Sequence, residues 1–463
     1  YKSNNMGKSK GSLKSTIAVS LTNYLDAGAI VAGASGLTLW QNYLDLSEAH
    51  LGWLNAISAN CLGAAIGAII GGFLADKYGR KAIYTYNMLV YMLGVAIIML
   101  AVNFPILLLG FLVTGISVGV GVPASWTYIS ESSETANRGR NICISQMAWG
   151  IGPLIILIIG TLLAPATGGA GDTGGVLFPF VEYVANLITG GEAQGAALNV
   201  FSSRIVFASL FIVAFIAWQL QRRLDESAEW KAAKAAEAKD ETKKHGVFSS
   251  FGELFSNKVC VRSMLFLAGM YLTWNLVCSV MGFFQPHIYE TAGGLSNEMA
   301  NMFAAGQWVV IIIMTFVCSL IIDRVNQRML FAIGVSMGVL AWLIIVTIGI
   351  TSMTGLVVFT LLWAIQAGIS VQTFYALWAS ELFPAKYRAA AQGIMFFIVR
   401  GVSAVWGLYF VHIYGKNGEG FTIAGYIMMA FFIISLIIGT VWAPKTQGKT
   451  LEQITKERYG DNI

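Results

Sequence analysis

The chain is short of charge. Asp, Glu, Lys and Arg make up 11% of its 463 residues, against 56% hydrophobic, where a soluble domain carries roughly 25% charged residues. That shortage excludes an ordinary soluble enzyme or binding domain, which would need an implausibly large core to hide so much apolar surface. Cysteine is scarce. Cys61, Cys143, Cys260, Cys278 and Cys318 show no metal-ligand spacing, so no metal is expected. They fall in apolar stretches or at their basic edges, so no disulfide is expected. No nucleophile–base constellation appears either, and enzyme chemistry with its cofactors is set aside. Proline numbers 8, whereas glycine numbers 50, and glycine lets membrane helices pack closely.

What is present is a series of apolar stretches of about 20 residues, the length a helix needs to cross a bilayer. They fall near 16–40, 51–74, 82–102, 106–128, 141–164, 203–221, 263–286, 299–322, 329–350, 355–378, 390–414 and 421–442. An all-α membrane protein of twelve transmembrane helices is the reading. The first stretch is too long for a signal peptide and has no clear small-residue cleavage site, so no cleavable signal is expected.

Charge placement predicts orientation. With both termini taken as cytoplasmic, all but three of the 29 Lys and Arg lie at the termini or in even-numbered loops, the exceptions being Arg204, Arg400 and Lys416. Odd-numbered loops carry Asp45, Glu48, Asp172, Glu182, Glu192, Glu290, Glu298 and Glu419 instead. This is a positive-inside pattern. The net charge of +5 therefore reflects topology and needs no nucleic-acid partner. The expected setting is a cell membrane, crossed many times by a monomer, and short termini suit a prokaryotic inner membrane.

The chain divides at a charged segment. Residues 1–221 and 262–442 each hold six spans, 222–261 form a cytoplasmic linker with the helix-prone run from Ser227 to Glu237, and 443–463 form a cytoplasmic tail. Such a linker is either a solvated tether or a set of short helices bracing two halves. An outer loop, 165–202, contains an apolar piece too short to span. It reads as an interfacial or lid segment, or as a loop without function.

Several motifs sit at the basic ends of the spans. After span two comes Gly72-Phe-Leu-Ala-Asp76-Lys-Tyr-Gly79-Arg80-Lys81, and after span eight a degenerate copy, Asp323-Arg324-Val-Asn326-Gln-Arg328. Glu131 and Arg138-Gly139 follow span four, and Ser380-Glu381-Leu-Phe-Pro384 with Arg388 follows span ten. Glu226-Ser227 with Trp230 follows span six, and Pro444-Lys-Thr-Gln-Gly448-Lys-Thr-Leu451-Glu452 closes the chain. Copies at matching places indicate an internal repeat. Together these motifs resemble those of the major facilitator superfamily, and within it the sugar porters, over essentially the whole chain. The resemblance implies a major facilitator fold of two six-helix halves working by alternating access. It implies a cytoplasmic gate from Asp76, Arg80, Glu131, Arg138, Asp323, Glu381 and Arg388. Each charge otherwise only anchors a helix end.

Ionisable residues inside spans are expensive, at roughly 2.5–3.5 kcal/mol on insertion scales, and so point to function. Asp26 lies 12 residues beyond Lys14, and Arg400 lies 12 beyond Arg388. At 1.5 Å per residue both sit about 18 Å deep, near mid-membrane. Tyr24-Leu-Asp26-Ala-Gly28 resembles the first-span motif of proton-coupled sugar porters, which implies that Asp26 binds a proton, the expected coupling ion. Otherwise Asp26 forms a fixed ion pair with Arg400. The family's span-four Arg partner is replaced here by Phe111.

Gln146 matches the span-five sugar-binding Gln of that family, or else bonds a neighbouring helix. The paired span-seven glutamines are replaced by Thr273 and Trp274, and the span-ten Trp by Ala376. Asn23, Trp149, Trp274, Asn275, Gln372 and Tyr375 complete the candidate substrate ligands, with Gln307 and Gln366 as further polar candidates. Arg400 also resembles the span-eleven Arg of the organic-anion branch of the related organic ion transporters, whose guanidinium suits a carboxylate. Two solutes stay open: a sugar or polyol such as an inositol, carried with a proton, and a small organic anion such as a sugar acid or aromatic acid. A non-transporting membrane sensor is the third reading, and the chain has no sizeable signalling tail to favour it.

Overall fold

The computed structural model describes residues 2–46, 48–57, 61–165, 175–238, 247–294, 297–414 and 418–460. They form helices and connecting turns, with no strand among them. In chain order the helices are α1 (Lys2–Leu44), α2 (Glu48–Ile57), α3 (Leu62–Tyr78), α4 (Arg80–Met99), α5 (Phe104–Ser132), α6 (Arg138–Leu162), α7 (Phe178–Thr189), α8 (Ala196–Gln221) and α9 (Ala228–Ala238). There follow α10 (Val247–Ser256), α11 (Lys258–Thr291), α12 (Asn297–Ile321), α13 (Gln327–Ile348), α14 (Met353–Gly368), α15 (Val371–Glu381), α16 (Arg388–Tyr414), α17 (Phe421–Val441) and α18 (Leu451–Tyr459).

Ten segments among the described residues are long and apolar enough to cross a membrane. The first two predicted spans fall on α1, of 43 residues, and on α2 and α3. Span ten departs from the expected single helix. It is broken between α14 and α15, where Ile369 leaves helical geometry and the Ser370 hydroxyl accepts hydrogen bonds from the N–H groups of Gln372 and Thr373. A serine that caps a new helix offers the backbone an alternative to continuing the old one.

Packing repeats between the halves. The pairs α1–α6, α1–α8, α3–α5, α4–α5 and α4–α8 have counterparts in α11–α16, α11–α17, α12–α14, α13–α14 and α13–α17. The halves meet chiefly through α3 against α16 and α6 against α12. Small residues make this possible. The buried face of α3 is built from Gly63, Ala64, Ala65, Gly67, Ala68, Gly71, Gly72 and Ala75, which lets backbones approach closely. Large apolar side chains such as Leu93, Ile212, Leu265 and Ile423 point outward, as lipid contact requires.

Gly79 makes the turn from α3 into α4 with φ of 101°, a conformation open to glycine at little cost. This turn, the start of α6 and the start of α16 all lie at one end of the bundle, with the Lys- and Arg-rich loops. This is the basic end of the bundle.

Candidate functional site: a closed ion-pair seam and a central cavity

At the basic end the structure brings together all seven charged motif residues. Arg80 Nη1 lies 2.9 Å from Asp76, and Arg80 Nη2 lies 2.9 Å from Glu131. Glu131 also takes Arg388 from the other half at 2.7 Å. Arg138 pairs with Glu381 at 3.0 Å. The two cross-half pairs mirror one another: the carboxylate after span four meets the guanidinium at the start of span eleven, and the carboxylate after span ten meets the one at the start of span five.

The two loop aspartates mirror one another as well. Asp76 accepts the N–H groups of Ala389 at 3.2 Å and Ala390 at 2.6 Å, so it caps α16. Asp323 accepts those of Gly139 at 3.0 Å and Arg140 at 2.8 Å, so it caps α6. Helix N-termini carry unpaired N–H groups and positive dipole ends, which suit a carboxylate. Asp323 lies outside the spans, and its carboxyl is pushed above its ordinary value by burial, against the donors of Arg140 and Gly139 and the charges of Arg138 and Arg140.

The segment between the halves joins this seam. Glu226 accepts the N–H groups of Arg80 at 3.0 Å and Lys81 at 3.2 Å. The Ser227 hydroxyl donates to Glu131, and Trp230 Nε1 donates to the Asp76 carbonyl at 2.9 Å. The sequence motif around Glu226 marked these positions but not their partners.

Above the seam lies a cavity of about 1210 Å3. Its lining runs from Gln146 to Leu162 along α6, from Ala27 to Leu39 along α1 and from Ala304 to Thr315 along α12. It therefore extends away from the basic end. Six predicted substrate ligands line it: Gln146, Trp149, Trp274, Asn275, Gln372 and Arg400. The break in span ten brings Ser370, Gln372 and Thr373 to the same wall.

A hydrogen-bonded relay crosses the floor. Tyr271 donates to Gln372 Oε1 at 3.2 Å, and Gln372 Nε2 donates to Gln146 Oε1 at 2.7 Å. The relay turns the Gln146 amide so that its Nε2 is left over, and that atom has no partner among the described residues. Trp149 Nε1 has none among them either. Buried donors without partners are costly, and a solute oxygen at the cavity wall would relieve both. Asn275 Nδ2 donates to Ser403 Oγ at 2.8 Å and Trp274 Nε1 to Gln366 Oε1 at 3.1 Å. The Arg400 guanidinium lies 4.8 Å from the centre of the Phe396 ring.

Three candidates sit behind the cavity wall. Asn23 donates to the Ser145 carbonyl at 2.8 Å, an interhelical bond that ties α1 to α6. Tyr375 stacks on Tyr271 with ring centroids 4.3 Å apart and 10° between planes. Asp26 is buried at 1% exposure. Its Oδ2 accepts no hydrogen bond from the described residues, so Arg400, whose charge acts on it, does not clamp it bidentately. Phe111 lines the cavity and packs edge-on against Phe207. Tyr271 escaped sequence reasoning because nothing distinguishes it from the other aromatic residues of the spans. Ser370 was legible in principle, as a capping residue after Gly368 inside an apolar stretch.

The Major Facilitator Superfamily model matches residues 16–408. The chain is 40% identical to the minor myo-inositol transporter IolF of Bacillus subtilis (strain 168) over 455 residues, covering 96% of this chain and 94% of that protein. It is 25% identical to the arabinose-proton symporter of the same organism, covering 92% of this chain and 90% of that one. Among solved structures it resembles the proton:xylose symporter XylE bound to 6-bromo-6-deoxy-D-glucose, with a TM-score of 0.73 at 17% identity over 97% of this chain and 99% of that one. It also resembles FucP in the outward conformation, with a TM-score of 0.70 at 16% identity over 93% and 99%. Mirrored packing, a seam of motif charges and a central cavity are thus found in a chain that belongs to the major facilitator superfamily, in its sugar porter-like branch, and is a transporter rather than an enzyme.

Proposed function

We propose that this chain is a proton-coupled symporter of a sugar or polyol, foremost a cyclitol of the myo-inositol kind, working by alternating access. The observation that carries the reading is the cavity. Amide groups of Gln146, Asn275 and Gln372 suit hydroxyls, and the faces of Trp149 and Trp274 suit the C–H faces of a ring. The similarity to a myo-inositol transporter over nearly the whole chain supports the same solute class.

In this reading residues 1–221 and 262–442 are the rocking halves, joined by 222–261, with 443–463 as a tail. The basic end faces the cytoplasm, with both termini there, as the Lys and Arg distribution supports. The seam of Asp76, Arg80, Glu131, Arg138, Asp323, Glu381 and Arg388 is then the inner gate in its closed form, and the cavity opens outward. Asp26 binds the coupling proton. A carboxylate held in a desolvated site, with a cation near it that does not grip both its oxygens, is suited to loading and releasing one. The chain acts as a monomer in a prokaryotic inner membrane, a setting that its similarity to a bacterial transporter supports.

A second reading rests on Arg400, a cation at the cavity wall. A small organic anion such as a sugar acid would meet it directly. Uptake of labelled myo-inositol, hexoses and sugar acids into proteoliposomes, with and without an imposed pH gradient, separates the two. Gradient-driven uptake of myo-inositol that sugar acids do not inhibit supports the first. Uptake confined to the acids overturns it.

A further inference from the structure

Cys143 on α6 and Cys318 on α12 belong to opposite halves, yet their thiols touch. The Cys143 Sγ donates to the Cys318 Sγ at 3.7 Å, and both residues are fully buried. Cys143 lies five residues after Arg138, and Cys318 lies five before Asp323, so the pair sits just above the point where Asp323 caps α6. The approach there is tight. A Cβ on Gly139 would lie 2.3 Å from Asp323 Oδ1.

We propose that Cys143 and Cys318 are an oxidation site, and that their disulfide locks the transporter with its basic end closed. This rests on the proposed rocking of the halves, which must part α6 from α12 at that end. A disulfide needs sulfurs at about 2.05 Å, so the thiols must close by about 1.7 Å, a small adjustment of two side chains already in contact.

Burial shields the pair in the closed state, where neither thiol is open to an oxidant from water. Parting of the basic end exposes the thiols to a hydroperoxide. One thiol then attacks the peroxide, the O–O bond breaks, and a sulfenic acid and one water form. When the halves close again, the second thiol attacks that sulfur, forming the S–S bond and releasing a second water. Two thiols and one hydrogen peroxide thus give one disulfide and two waters, with no other oxidant needed. Oxidation is therefore faster in a cycling transporter than in one held closed.

The test uses the full chain in proteoliposomes, treated with hydrogen peroxide while it takes up labelled myo-inositol. Uptake is followed, and linked peptides are measured by mass spectrometry without reductant. The expected result is a Cys143–Cys318 cross-link whose fraction equals the fraction of uptake lost, with uptake recovered on dithiothreitol. Cys143→Ala and Cys318→Ala should each keep uptake under peroxide. Both retain the other thiols, Cys278 at the cavity wall among them, so loss of uptake in them would assign the effect to something other than the cross-link and overturn the proposal. If either variant fails to fold, the match between the Cys143–Cys318 cross-linked fraction and the uptake lost in the unaltered chain still decides. Uptake that survives complete cross-linking overturns the lock and the parting of α6 from α12 together. Continued uptake under peroxide with no cross-link formed overturns the thiol pair alone and leaves the rocking mechanism standing.

Discussion

Arg388 lies 2.7 Å from Glu131 across the seam between the halves, and the same relationship recurs in mirror image between Arg138 and Glu381 at 3.0 Å. All four side chains are buried. Such pairs contribute little net stability, because desolvation offsets their attraction, whereas removing one partner costs about 3–5 kcal/mol. Mirrored, buried and reversible contacts suit a gate better than a clamp.

Glu131→Gln and Arg138→Ala should each lower uptake by more than about ten-fold, which is 1.4 kcal/mol, while protein remains in the membrane. Reversing the second pair, Arg138→Glu with Glu381→Arg, should recover part of the loss. Unaltered uptake in both single variants would remove the gate from the mechanism.

Asp323 contributes to the seam a pH dependence of definite sign. Its carboxyl is raised above its ordinary value by burial in this state. When the halves part, it regains water and its ordinary value of about 3.9. The state with the higher value binds the proton more tightly, so through this group acidification favours the basic-end-closed form. That contribution is complete below the ordinary value and is lost as pH rises through the raised one. Spin-label distances across the basic end should shorten as pH falls from neutral to about 4, and Asp323→Asn should flatten the change. A lengthening with acid would contradict this assignment.

Asp26→Asn should abolish the response of uptake to an imposed pH gradient while leaving solute counterflow. Asparagine keeps the size of the group and removes its titration. A variant whose gradient response is intact would move the coupling site elsewhere, and loss of counterflow as well would make Asp26 part of the framework instead.

The motif charges were legible in the sequence because each is fixed by a few neighbours at a helix end. Asp76 and Gly79 belong to one turn, and Glu131 and Arg138 to the next. Charge alternation between loops and the length of the apolar stretches likewise carried the fold. The cavity was less legible. Gln146, Trp149 and Arg400 could be placed at mid-membrane depth by counting turns, but counting does not tell which way a side chain faces. Asn23 and Tyr375 share that depth and turn to Ser145 and Tyr271 instead. Their partners lie more than a hundred residues away along the chain, where local spacing carries no information.

Gln372→Leu tests the relay. It removes the donor to Gln146 and the acceptor for Tyr271 together. A net hydrogen bond is worth about 0.5–1.5 kcal/mol, so KM should rise roughly two- to ten-fold with kcat little changed. Gln372→Glu keeps the acceptor and loses the donor, and should fall between the two. An unchanged KM in Gln372→Leu would confine the relay to packing.

Two glycines on the packed faces should behave differently although their clashes are alike. A Cβ on Gly67 would lie 2.1 Å from the Ile116 carbonyl oxygen, and one on Gly393 would lie 2.2 Å from that of Ala68. The first contact joins α3 to α5 within one half, which must stay packed in every state. The second joins α3 to α16 across the seam, which alternating access opens. Gly67→Val should therefore reduce the yield of folded protein. Gly393→Val should fold, lose uptake and hold the basic end apart, so that a maleimide labels Cys143 faster than in the unaltered chain. Equal yields and equal Cys143 labelling in the two variants would mean that the α3–α16 contact is permanent, and the rocking mechanism would lose one of its two hinged surfaces.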